Sequence, residues 1–236
     1  MTISKTLRVL RRSGLGMNRL GLDRRLGMNT FSRLQRPDRP QVTPGYPGPR
    51  IAAIYGLAAR EHMQRHLLRF IREAGYPDTT LYGHLQAALI ADDLQQAAAQ
   101  GRPVVLVGYS QGGLEAMNVA HRLYRRGVPV ALMVLIAARG LGRIFPHRWR
   151  ADMRRVPPNV ALCLNYFAEG DRLGSDMPFA RNEMIASAPS SRVENIGFAR
   201  EEGLSHLGIA RCYPPERLPA VLKALSLIHI SEPTRR

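Results

Sequence analysis

From Ile51 onward the chain alternates short, wholly apolar runs with longer stretches in which apolar residues recur every three or four positions. The runs IAAIYG, TTLYG, VVLVG, VALMVLIAA and NVALCLNYF predict five strands, and SRVENIGF a sixth. A strand that is apolar at every position, rather than at every second one, is covered on both faces. The intervening stretches have helical period. REHMQRHLLRFIREAG puts Met63, Leu67, Phe70, Ile71 and Ala74 on one face and stops at Gly75, a residue suited to the left-handed turn after a helix. HLQAALIADDLQQAAAQG stops at Gly101 and QGGLEAMNVAHRLYRRG at Gly127; ERLPAVLKAL starts a last helix. Strand–helix alternation of this kind predicts an α/β fold: a three-layer sandwich with a mostly parallel sheet and helices on both faces. Right-handed crossovers then bring the carboxyl ends of the strands to one edge, where open α/β sheets bind ligands.

The flanks lack this pattern. Residues 1–49 mix scattered leucines with arginine, glycine and a proline-rich exit from Pro37 to Pro49, and LGMN occurs twice, too few copies for a repeat fold. Of the net charge of +16, +9 falls on residues 1–50, where Lys5 and ten arginines face only Asp23 and Asp38. The first expectation is therefore a poorly ordered basic arm outside a domain at 50–224. The arm is either a solvated tail, or a start assigned too far upstream, or a segment suited to weak contact with an anionic membrane. At the other end, Leu225–Arg235 reads as the in-frame translation of a sequencing-library adapter, so residues 225–236 are set apart as non-native.

Composition narrows the classes. The longest apolar run, near Val128–Ala138, is about a dozen residues, short of the ~20 that span a bilayer. No stretch has the layout of a secretory signal. Cys163 and Cys212 have no metal-ligand spacing and read as free buried thiols of a cytoplasmic protein, one that could sit peripherally on a membrane. Charge alone is no basis for specific nucleic-acid binding, and no DNA-reading motif accompanies it. Nothing in the sequence calls for a metal or an organic cofactor.

The chemistry-bearing stretch is VVLVGYSQGG, residues 104–113. A strand turning sharply into a helix lifts the Ser110 hydroxyl to the carboxyl edge of the sheet, and only glycine fits at Gly108 and Gly112, where strand and helix approach. The N–H of Gln111 opens the helix, where the dipole favours negative charge, so it can donate to an oxyanion. A second donor is expected from the loop after the first strand, Gly56-Leu57-Ala58, with the N–H of Leu57 as first choice. The serine needs a base. Of seven histidines, His62, His66, His84 and His121 fall on predicted helices and His147 in an arginine-rich loop; His206, in EEGLSHLGI beyond the sixth strand, has the right chain order. An orienting acid is expected after the fifth strand, in NYFAEGDRLGSD, where Asp171 is first choice and Glu169 and Asp176 are alternatives.

With Ser110, Asp171 and His206 in that order, residues 50–224 resemble the α/β-hydrolase superfamily, in the form of a small, capless bacterial serine hydrolase. The resemblance implies Ser110 as nucleophile, His206 as base and then acid, and Asp171 as orienting acid, in an esterase, lipase or thioesterase acting on a small-molecule or lipid acyl substrate. Departures are the absence of a clear counterpart to the usual first two strands, YGLAA where an HG-type loop is usual, and only Arg139–Pro158 where a cap would insert. Phe145 and Trp149 in that stretch would suit an acyl chain or ordinary packing. Two other readings fit the same residues: an acyltransferase, and a catalytically silent binding protein of the same fold.

Overall fold

The computed structural model describes residues 36–138 and 154–213. Its first strand, β1 (Arg50–Tyr55), leads into a helix that runs as α1 (Arg60–Met63), passes through a π turn at Gln64–Leu68 and continues as α2 (Arg69–Glu73). Then come β2 (Thr79–Gly83), α3 (Ala87–Ala99), β3 (Val104–Tyr109), α4 (Gln111–Arg125) and β4 (Val130–Ile136). Beyond Arg154 lie β5 (Arg155–Val156), β6 (Val160–Ala168), β7 (Ile185–Ala186) and β8 (Arg192–Phe198). The main sheet has six parallel strands in the order β2-β1-β3-β4-β6-β8, and β5 and β7 form a separate two-residue parallel ladder.

Every residue of β1, β2 and β3 is buried, and the two faces of β1 go to two cores. Ile51, Ala53 and Tyr55 pack with Met63, Leu67 and Ile71 of the first helix and with Ile209 and Cys212; Ala52 and Ile54 pack with Ile90 and Leu94 of α3 and with Met117 and Leu123 of α4. This division explains the unbroken apolar runs, since with helices on both sides no position of these three strands faces water. It also follows from chain order. The chain moves one way from β1 to β2 and the other way from β2 through β3 to β8, so right-handed crossovers send the first helix to one face and α3 and α4 to the other. The reversal lies between β1 and β3, and their carboxyl ends flank the switch point at which such sheets bind ligands.

The strand expectations and the α/β sandwich hold. One helix differs: a single α-helix over 60–75 is expected, and the chain inserts a π turn at Gln64–Leu68. Outside the sheet, Asp38 forms one antiparallel bridge with Leu81 through N–H to carbonyl bonds of 2.9 and 3.1 Å. Its carboxylate also accepts from Gln64 and Arg72. At the amino edge, buried Arg50 joins Asp78, Asp93 and the Tyr82 hydroxyl, and Arg102 closes on Asp78.

Both cysteines are buried and form no disulfide among the described residues, and no helix among those residues is long and apolar enough to cross a membrane. Residues 1–35 of the expected arm, Phe145, Trp149 and His147, most of the stretch where a cap would insert, the last helix and the tail at 225–236 all lie outside the described residues.

Candidate active site

Ser110 sits between β3 and α4 with φ 55° and ψ −126°, a left-handed conformation that serine rarely adopts. Its N–H bonds the Ile136 carbonyl (2.9 Å), one strand over, and its own carbonyl accepts from Gly113 (2.9 Å). Close packing of β1 against α4 enforces the bend. A Cβ on Gly112 would stand 2.0 Å from the Ile54 carbonyl oxygen, and one on Gly108 would stand 2.5 Å from the Cα of Gly113. Both glycines expected at the elbow are therefore steric necessities.

The three expected side chains meet. His206 Nε2 lies 3.0 Å from Ser110 Oγ, and His206 Nδ1 lies 2.7 Å from Asp171 Oδ2. Asp171 is buried and fixed from within its own loop: Oδ1 accepts from the N–H groups of Leu173 (3.0 Å) and Gly174 (2.8 Å). The other oxygen is thus aimed at the imidazole. A carboxylate oxygen only accepts, so the bonding pattern assigns the proton to Nδ1 and leaves the Nε2 lone pair for the serine hydroxyl. Of the three acids considered, Asp171 takes this place. Asp176 is held through its backbone by Asn182, and Glu169 is partly exposed beside the β6–β8 ladder.

Gly56 closes the site from β1. A Cβ there would stand 2.8 Å from both the backbone nitrogen of Gln111 and the Cβ of Ser110, so the first loop passes directly against the elbow. Leu57 follows it and is 73% exposed; Leu173 beside Asp171 and Leu207 beside His206 are 51% and 52% exposed. Each of the three loops that build the site thus carries an uncovered leucine. Among the described residues, no group of three or more His, Cys, Asp or Glu side chains is arranged to hold a metal ion.

Sequence reasoning missed several contributors. A Cβ on Gly174 would fall 2.3 Å from Asp171 Oδ2 and 2.8 Å from His206 Nδ1, so that glycine is needed for the acid to reach the base. Asn165 Nδ2 donates to the Asn182 carbonyl (2.8 Å) and to Asn195 Oδ1 (2.9 Å), bracing the chain that returns from the acid loop. Tyr109, buried beside Ser110, and His62 lie beneath His206: Tyr109 is 5.1 Å ring to ring from His206 and 6.0 Å from His62.

Burial, reinforced by neighbouring His66, holds the His62 imidazole down at about 4, against an ordinary 6.5. His66 and His121 are lowered too, again first by burial. The unfolded chain takes up these protons at a higher pH than the folded one, so acid favours unfolding. The contribution to stability is complete above about pH 6.5 and is lost as pH falls toward about 4. We expect the urea midpoint to drop between about pH 7 and pH 5, where ordinary carboxylates are still mostly ionised. His62→Asn should flatten that slope; an unchanged slope would mean that His62 is not buried in its neutral form.

The six-stranded parallel sheet with helices on both faces and a serine elbow at its switch point define an α/β-hydrolase fold. Within it, residues 68–143, which include the elbow, match the Thioesterase domain family. Among solved structures, Aspergillus fumigatus lipase B aligns with a TM-score of 0.56 at 15% identity, over 80% of this chain and 56% of that one. An arylesterase aligns with a TM-score of 0.52 at 10% identity, over 78% and 75%. RedJ, a thioesterase from the prodiginine biosynthetic pathway of Streptomyces coelicolor, aligns with a TM-score of 0.46 at 14% identity, over 80% and 91%. No curated protein matches the chain by sequence.

Proposed function

We propose that the chain is a serine hydrolase that cleaves a carboxylic ester or thioester through an acyl-enzyme on Ser110. The observation that carries this reading is the continuous hydrogen-bonded line from Ser110 Oγ through the His206 ring to buried Asp171, at the carboxyl edge of the sheet. His206 Nε2 takes the hydroxyl proton as Oγ bonds to the acyl carbon, and the carbonyl electrons move onto oxygen. The N–H groups of Gln111 and Leu57 receive that oxyanion. Collapse breaks the bond to the alcohol or thiol, which leaves with the proton from Nε2; water, deprotonated in turn by His206, then releases the acid and restores Ser110. The Thioesterase domain match supports ester and thioester bonds as the target. The exposed Leu57, Leu173 and Leu207 support an apolar acyl group, since the loops next to the reacting atoms offer it hydrocarbon contact.

A fluorophosphonate probe tests the reading. Covalent labelling of Ser110 in the wild type, abolished in His206→Ala, is the expected result. A well-folded protein that takes no label would favour the silent binding protein. A panel of p-nitrophenyl esters and acyl-CoAs of graded chain length would then fix the leaving group and the acyl preference. Asp171→Asn keeps the shape and removes the acceptor that selects the Nδ1–H form of His206. We expect kcat on p-nitrophenyl esters to fall about 10³- to 10⁴-fold with KM nearly unchanged. A loss below about tenfold would remove Asp171 from the reaction.

A further inference from the structure

The segment that carries His206 has little packing of its own. Ser205 and Leu207 are exposed, Leu204 packs half-buried against the core, and full burial resumes at Ile209. Its contacts come from beneath. The Tyr109 hydroxyl donates to the His206 carbonyl at 2.8 Å. The His62 ring packs behind that of Tyr109, 6.0 Å between ring centres. The next turns of the same helix hold the segment's far end. The Tyr213 N–H donates to His66 Nδ1 at 3.2 Å, the Arg69 guanidinium lies 4.3 Å over the Tyr213 ring, and the Tyr213 hydroxyl bonds Glu73. His62, His66, Arg69 and Glu73 follow one another at spacings of four, three and four, which makes one row along a helix.

We propose that Tyr109 is a positioning residue for His206: a buried phenol, with the His62 ring packed behind it, fixes the His206 backbone carbonyl, and so sets the distance from the His206 ring to Ser110. The inference rests on the hydrolase reading for its kinetic consequences, but the anchoring itself is a statement about structure. An imidazole on an exposed turn would swing with its backbone, and a displacement of about 1 Å is enough to cost a large part of a proton-transfer rate. Hydrogen bonds from buried donors resist this because the donor has no water to turn to. Burial raises the Tyr109 hydroxyl's pKa, so the phenol keeps its proton and stays a single-state donor across the working range. The pairing also gives the tyrosine before the nucleophile a purpose. It ties the elbow and the base loop, 97 residues apart in sequence, into one rigid piece.

Two variants separate anchoring from plain packing. Tyr109→Phe keeps the ring and removes the hydroxyl. His62→Phe alters the packing behind Tyr109 and leaves the hydroxyl in place. Two signals are read: kcat and KM on p-nitrophenyl butyrate, and the downfield proton resonance of His206 Nδ1–H bonded to Asp171. We expect Tyr109→Phe to lower kcat about tenfold at unchanged KM, matching one lost hydrogen bond, and to broaden the resonance. His62→Phe should retain both signals. Tyr109→Phe with kcat within about twofold of wild type and a sharp resonance would overturn the proposal, as would an equal loss in His62→Phe, which would assign the effect to packing. The resonance also keeps the two readings apart. A wild type that neither hydrolyses nor labels, yet shows the resonance and loses it in Tyr109→Phe, would refute the hydrolase and leave the anchor standing. An active wild type with an indifferent Tyr109→Phe would do the reverse.

Discussion

Ser110→Ala should lower kcat by at least about 10⁴-fold while the protein folds as before. The two halves of this expectation have separate causes. The loss follows because no other hydroxyl replaces the one 3.0 Å from His206 Nε2, and without it His206 has only water to activate. Attack by water on a bound acyl group would still draw on the N–H groups of Gln111 and Leu57, so a residual rate above the uncatalysed reaction is part of the expectation. Folding survives because the bend is enforced by backbone contacts rather than by the serine oxygen: the Ser110 N–H to Ile136 and the approach of Gly112 to Ile54 are the same in the variant. Alanine carries the same Cβ at the same φ of 55°, so the strain is unchanged. Stability should stay within about 0.5 kcal/mol and could rise, since sites built for reaction are often strained. Steady-state turnover of p-nitrophenyl butyrate and a thermal melt check both halves. Turnover within about tenfold of wild type in a preparation free of contaminating esterase would assign the attack to another group.

How far such a site can be read from sequence depends on whether its cause is local. The strands were legible because burial on two faces leaves uniform apolar runs, and β1, β3 and β4 are such runs. The elbow was legible because a backbone that turns this tightly tolerates only glycine at Gly108 and Gly112, and that requirement is written within five residues. His206 and Asp171 followed from strand order, since both lie on loops at the same edge as Ser110. What escaped depends on contacts between distant segments. Gly174 is small because Asp171, Ala137 and His206 converge on it, and no local pattern says so. Asn165, Asn182 and Asn195 look like ordinary loop and strand polar residues until the chain brings them together. The π turn at Gln64–Leu68 keeps the apolar spacing of an α-helix closely enough to pass for one. His62 falls on a predicted helix, and periodicity cannot show that the segment after His206 folds back over that face.

Gly112→Val has the largest expected effect on stability, and it tests the elbow without reference to any activity. A side chain at this position has no direction in which to relax. Its Cβ would start 2.0 Å from the Ile54 carbonyl oxygen, 2.6 Å from the Ile54 carbonyl carbon and 3.0 Å from that of Tyr55. These are backbone atoms at the end of β1, which β2 and β3 hold on either side through the register Ile54↔Tyr82 and Ile54↔Gly108. Moving them would break ladder hydrogen bonds in the middle of the sheet. Moving α4 outward instead would open the core where Met117 and Leu123 pack against the strands. Either route costs about 4–5 kcal/mol or more, the range reserved for severe core defects, against a total of about 5–15 kcal/mol. For a domain of this size the melting temperature should fall by about 8–20 °C, or the protein should be recovered only as aggregate. The smaller Gly112→Ala, which makes the same first clash without the branch, should fall between this variant and wild type. Circular-dichroism melts of the three proteins decide the matter. If valine at this position melts with the wild type, β1 and α4 do not touch there, and the bend that raises Ser110 to the sheet edge has some other cause.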